Sequence, residues 1–132
     1  MRVFLISVLL LLVSGLQAQE ILSQERYPDG TLRSTRYSEG GRIHFITYFE
    51  NGQVMEIGCF EHGKRDGTWK QYSATGALTT SAYFDKGRSQ GTWEFRTEDD
   101  KPIGRLSFMN GALTQGQQFN DAGDLVAQRD YR

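Results

Sequence analysis

Cysteine, histidine, net charge and long apolar runs are all scarce in this 132-residue chain, and each scarcity excludes something. Cys59 is the single cysteine, so no internal disulfide can form and packing alone must hold the fold. His44 and His62 are the only histidines, too few for a His-rich metal site and at no helical ligand spacing. Lys plus Arg number 15 against 16 Asp plus Glu, a net charge of −1. That balance gives no long-range pull toward nucleic acid or anionic lipid. The one sustained apolar run, Val3 to Val13, is broken only by Ser7. It is well short of the ~20 apolar residues that cross a bilayer.

That run lies between Arg2 and the small, polar stretch Ser14-Gly15-Leu16-Gln17-Ala18, the layout of a secretory signal peptide with cleavage after Ala18. Residues 1–18 are therefore expected to form a signal helix, and residues 19–132 a single exported domain, secreted or periplasmic. With no cysteine near the cleavage point, a lipid-anchored variant of the signal is excluded. Removing Arg2 with the leader leaves 14 basic against 16 acidic residues, a net charge of −2. Partners must then be chosen by local shape and chemistry, without stable membrane insertion.

What is abundant is repetition. Gly67-Thr68-Trp69 and Gly91-Thr92-Trp93 are offset by 24 residues, and Phe60, Phe84 and Phe108 follow the same spacing, each three residues before a glycine. Two turn types alternate. One runs aromatic, two or three polar residues, Gly, any residue, aliphatic, as in Tyr27 to Leu32, Phe49 to Val54, Tyr72 to Leu78 and Phe119 to Leu125. The other runs aromatic, two residues, Gly, as in Tyr37 to Gly40 and the three Phe segments. Glycine supplies the positive φ of tight hairpins, and Asn, Asp and Pro suit the positions before it. The stretches between turns are five to eight residues rich in Thr, Tyr, Phe, Trp, Ile and Val, with no helical period, and read as strands. The fold expected is all-β: an antiparallel meander of nine or ten strands, built from repeated hairpins in an elongated twisted sheet.

Alternation in Ala77 to Phe84 puts Leu78, Thr80, Ala82 and Phe84 on one face. Phe60, Phe84 and Phe108 are then the expected core ridge. Trp69 and Trp93 begin the strands after the second turn type, where a stacked pair of indoles would seal neighbouring hairpins. The last repeat drifts, with Asp100 in a glycine place, Arg96 where Tyr72 stood, and Gln117 and Gln118 where a Trp is expected.

Gly-Thr-Trp, two residues, Tyr, a Gly turn, Leu, then aromatic, two residues, Gly resembles the MORN repeat in its bacterial variant form, from about Tyr27 to Leu125. Residues 67–93 fit best, through Gly67, Trp69, Tyr72, Gly76, Leu78, Tyr83, Gly87, Gly91 and Trp93. The resemblance implies side-by-side hairpins in an elongated sheet and no catalytic residue set. Its members serve as interaction scaffolds, as lipid-contacting modules, and as antitoxin-like components. A signal peptide fits an envelope role better than a cytosolic toxin partner.

Several residue sets carry possible chemistry. Gly87-Arg88-Ser89-Gln90-Gly91 matches the Gly-x-Ser-x-Gly pattern of a hydrolase nucleophile elbow. Its counterpart one period earlier, Gly63-Lys64-Arg65-Asp66-Gly67, shows the glycines to be turn residues and Ser89 to hold a place Arg can hold. Cys59 and His62 with an outside carboxylate form a conceivable zinc set, against a strand-face Cys59 and a turn His62. Glu98-Asp99-Asp100 reads as a calcium loop or a solvated turn. Lys64, Arg65, Lys86 and Arg88 gather at equivalent turns with Glu61, Asp66 and Asp85 between them, a mixed-charge surface. Trp69, Tyr72, Trp93 and Phe95, with Tyr83 nearby, are the candidate aromatic platform for glycan or peptide, against a packing role between repeats. The expectation is an exported, non-enzymatic module with no cofactor or metal, binding a protein or cell-envelope component. The alternatives are a self-associating structural repeat and, more distantly, a hydrolase using Ser89.

Overall fold

The computed structural model describes residues 19–132, so the leader and its expected signal helix lie outside the described residues. The strands are β1 (Glu20–Arg26), β2 (Leu32–Glu39), β3 (Arg42–Tyr48), β4 (Val54–Glu61), β5 (Lys64–Arg65), β6 (Gly67–Tyr72), β7 (Leu78–Asp85), β8 (Arg88–Ser89), β9 (Gly91–Arg96), β10 (Pro102–Met109), β11 (Ala112–Phe119) and β12 (Leu125–Asp130). All belong to one open antiparallel sheet, and no helix occurs among the described residues. Ten strands follow one another in chain order across it, while the two-residue β5 and β8 pair beside β4 and β7. The all-β hairpin meander of nine or ten strands is therefore present as a ten-strand path, with two short strands beside it.

Both turn types take the backbone their residues favour. At one end of the hairpins two consecutive residues have positive φ, as in His62 (51°) with Gly63 (75°) and Lys86 (50°) with Gly87 (86°). That is the two-residue turn whose twist matches the flanking strands. At the other end the chain bends over a three-residue span, with the Gly52 N–H donating to the Phe49 carbonyl at 2.9 Å. Asp100 holds the glycine place in the turn between β9 and β10, at a φ of 62°. Its N–H donates to the Thr97 carbonyl, and its own carbonyl accepts from Arg96 Nη1 at 3.2 Å.

The return strands of the two Gly-Thr-Trp repeats are not simple. Phe60 lies opposite Arg65, yet Ile57 lies opposite Lys70, so the return strand carries two extra residues in a bulge at the Asp66-Gly67 step, where the Asp66 N–H still donates to the Cys59 carbonyl at 2.9 Å. Phe84 opposite Ser89 and Ser81 opposite Glu94 give the same two-residue bulge at Gln90 and Gly91. Each bulge receives the following hairpin turn. The Lys86 and Gly87 N–H groups donate to Asp66 Oδ1 (3.0 Å) and the Arg65 carbonyl (2.8 Å). One period on, Asn110 and Gly111 donate to Gln90 Oε1 (2.7 Å) and the Ser89 carbonyl (2.9 Å). Arg42 of the preceding hairpin pairs with Asp66 from the other side.

Asp66 thus joins three successive hairpins, and its carboxyl is held below the usual carboxylate range, chiefly by the Lys86 N–H and further by the Arg42 charge. A depressed folded-state value contributes stability above the unfolded-state value, and that contribution disappears as pH falls through the lowered one. Urea midpoints measured from pH 7 down to about pH 2.5 should therefore fall more steeply below about pH 4 for the native chain than for Asp66→Asn. Parallel curves would remove Asp66 from the acid response.

The core is a row of rings on one sheet face. Phe45, Phe60, Trp69, Phe84, Trp93 and Phe108 follow one another, with successive centroids 4.6–6.3 Å apart and tilted or edge-on planes. The expected Phe row is there, but the indoles do not stack on each other: Phe84 lies between them. Trp69 is the most enclosed ring, 6% exposed. Gly58 lies beneath it: a Cβ there would collide with Cδ2, Cε2 and Cε3 of the indole. Above, the Arg65 guanidinium lies 4.8 Å from the Trp69 centroid and 5.5 Å from that of Phe84. One layer of sheet thereby buries apolar surface without a second layer, because neighbouring rings and an arginine supply the cover.

Candidate functional site

The aromatic set expected to form a platform is split by this arrangement. Trp69 is enclosed by Gly58, Phe60, Phe84 and Arg65, so little of its ring is left for a ligand. Trp93 is half-buried between Phe84 and Phe108 and donates its Nε1–H to the Tyr83 carbonyl at 3.0 Å. Phe95 shares the Trp93 face two residues along β9, opposite Thr80 and Gly104. Tyr72, half-buried, ends β6 opposite Leu78 at a register shift. Tyr83, opposite Thr68, points to the other face and is 44% exposed.

Gln117 does not occupy a tryptophan place. The hairpin between β10 and β11 carries one extra residue instead of two, with Phe108 opposite Leu113 but Ser107 opposite Gln115. A single inserted residue reverses the face of everything after it. Gln117 therefore pairs with Arg105 on the face away from the rings, and Gly116, opposite Leu106, takes the place that Trp93 holds one repeat earlier.

Ser89 lies in β8 opposite Phe84, and its carbonyl accepts the Gly111 N–H. A bulge and then strand β9 follow it, in place of the strand-to-helix turn that makes a nucleophile elbow. Cys59 faces His44 across β3 and β4, while His62 sits in the turn beyond. Burial pushes the Cys59 thiol up, against the nearby Arg42 charge. No group of three or more His, Cys, Asp or Glu suited to a metal ion occurs among the described residues. Asp100, in the acidic turn, is engaged by Arg96.

Lys64, Arg65, Lys86 and Arg88 do gather, lining a shallow concavity of about 450 Å³ with Phe84 and Gly87. Two of the interleaved carboxylates are turned toward Arg42, which pairs with Asp66 and lies 3.9 Å from Glu61.

An opening of about 590 Å³ at the other end of the ring row has no counterpart among the sites expected from the sequence. Arg36 stands one 24-residue period before Phe60, and Phe45 one period before Trp69. A guanidinium thus replaces a ring, 5.1 Å from the Phe45 centroid, and the neighbouring row position on β1 is only Ser23. The row therefore stops in a hollow. Tyr27 closes one side by donating its hydroxyl to the Tyr48 carbonyl at 2.7 Å. Arg33, Glu25 and Thr47 also line it. The replacement at position 36 was the available signal, visible once the period is extended upstream.

The two edges of the sheet are bare. Every residue of β1 and β12 is exposed, including Ile21 (62%) and Val126 (56%). An open edge presents unpaired backbone N–H and C=O groups to any chain able to add a strand. No helix among the described residues is long and apolar enough to cross a membrane.

Residues 43–62 match the model of a family described as MORN repeat variant. That segment comprises most of β3, its turn and β4 to the hairpin, one 24-residue period before 67–86. No curated protein matches the chain.

Proposed function

We propose, from the premise that this chain is a MORN-repeat protein, that it is an exported, non-enzymatic binding module, secreted or periplasmic, whose partner is a protein or cell-envelope component. The observation that carries this reading is the pair of edge strands exposed along their whole length with aliphatic side chains on them. Natural sheets usually shield such edges, and strand addition is a common way of using them. Export rests on the leader pattern of residues 1–18. The aromatic set Trp69, Tyr72, Trp93 and Phe95 enters this reading mainly as the frame that holds the edges in place.

Two measurements test it. Alkaline phosphatase fused after residue 18 should be active outside the cytosol, and inactive enzyme retained inside would end the export reading. The immobilised chain should retain a component of an envelope extract that the soluble chain competes away, and failure of competition would end the binding reading.

One feature favours self-association as a second reading. With ten strands across the sheet, β1 and β12 run in opposite directions. A second copy translated along the sheet would then place its β1 antiparallel to β12 and continue the meander. Light scattering separates the two, since mass that grows with concentration indicates assembly and a constant monomer mass indicates an external partner.

A further inference from the structure

We infer that the free edge of β1 and the hollow behind it form one recognition site for an extended acidic peptide segment, which adds as a strand and places a carboxylate between Arg33 and Arg36. This rests on the edge-binding reading above and gives it a partner chemistry. β1 contributes both parts: its outer backbone is unpaired, while its Ser23 and Glu25 side chains line the hollow. An added strand has alternate side chains on the hollow's face. Backbone hydrogen bonds then supply affinity, and the hollow supplies side-chain choice.

The lining selects the charge. Arg33 and Arg36 have no carboxylate within salt-bridge distance among the described residues, and Glu25 is the only acid in the lining. Arg36 is also stacked on Phe45, which holds its planar fork in the opening. Planar guanidinium groups suit two-pronged carboxylate recognition.

The test is fluorescence anisotropy with the whole protein and a labelled, N-acetylated Val-Glu-Val-Glu-Val-Glu peptide, about 20 Å long when extended, close to the length of β1. The acidic peptide should bind at least tenfold more tightly than its Val-Gln analogue. Methylating alternate backbone nitrogens should cost it a further tenfold. Arg33→Gln and Arg36→Gln, both at exposed positions, should remove the preference for Glu over Gln, with the urea midpoint unchanged in Arg33→Gln and lowered slightly in Arg36→Gln by the lost stacking on Phe45. Lys86→Gln, at the opposite end of the hairpins, should leave binding unaltered. Equal binding of the Glu and Gln peptides, or unaltered binding by the two arginine variants, would overturn the site while leaving edge binding standing. Undiminished binding of the N-methylated peptide would overturn strand addition. Competition by free glucuronate at peptide concentrations would reassign the hollow to small acidic sugars. Loss of affinity in Lys86→Gln would move the acidic site to the basic turns. If no peptide binds while envelope capture persists, this inference falls alone; if capture is also lost, both fall.

Discussion

Gly58→Ala is expected to destabilise the protein by about 3 kcal/mol, at the upper end of the range for overpacking. The usual sign is the reverse, since replacing a strand-interior glycine with alanine reduces the entropy lost on folding and gains about 0.5–1 kcal/mol. Here the added methyl lands on three carbons of the Trp69 indole. The indole cannot lift away freely, being held by Phe60 at 5.2 Å, Phe84 at 6.2 Å and Arg65 at 4.8 Å. A urea titration of Gly58→Ala, Trp69→Leu and the double variant measures the coupling directly. With the large ring gone, the Gly58→Ala penalty should vanish or become a small gain. An equal penalty in both backgrounds would show that position 58 is constrained by something other than the indole.

Trp69→Ala should cost about 3–5 kcal/mol, the range for deleting a buried large aromatic. A domain of this size has a net stability on the order of 5–15 kcal/mol, so the variant should stand close to the unfolding threshold at room temperature. Trp93→Ala should cost clearly less, because that ring is only half-buried, although it also gives up the hydrogen bond to the Tyr83 carbonyl. The physical cause of the difference is the residue beneath. Trp69 settles onto Gly58, whereas the register continued from Ser81 and Glu94 puts the larger Ala82 beside Trp93. Equilibrium unfolding followed by far-UV circular dichroism ranks the two. A Trp93 variant as damaged as the Trp69 variant would refute a row centred on position 69. Loss of partner capture by Trp69→Ala carries functional meaning only if its dichroism spectrum stays native.

The parts of this fold legible beforehand were those governed by local backbone chemistry. Turns with positive φ were marked by Gly, beside His62, Lys86 and Asn110 in the two-residue turns, and in one case by Asp100 alone, and the intervening Thr, Tyr, Val and Ile segments had strand length and no helical period. The row of Phe60, Phe84 and Phe108 followed from the 24-residue spacing and simple alternation. What stayed hidden depended on how many residues each return strand leaves unpaired. A plain hairpin continued from Phe60 and Arg65 would set Trp69 opposite Glu56, two residues farther along the strand. The two extra residues of the bulge at Asp66 and Gly67 slide it back to Gly58 and into line with the phenylalanines. Gln117 was misplaced for the related reason that its hairpin omits one residue and thereby changes face.

By itself, the amino-acid sequence determined the repeat unit, the turns, the strand segments and the identity of the rings, because each depends on residue type and short-range geometry. Only the tertiary structure decided the register across each bulge, and with it the order of rings in the core and the burial of one tryptophan more than the other. It also decided where the row of rings ends, leaving two arginines around a hollow behind the first strand. Register is a balance among the docking of each turn onto the preceding bulge, the fit of an indole over a glycine, and the pairing of Asp66 with its neighbours. Those contacts join residues from 11 positions apart, Gly58 and Trp69, to 24, Arg42 and Asp66, beyond the reach of any local rule.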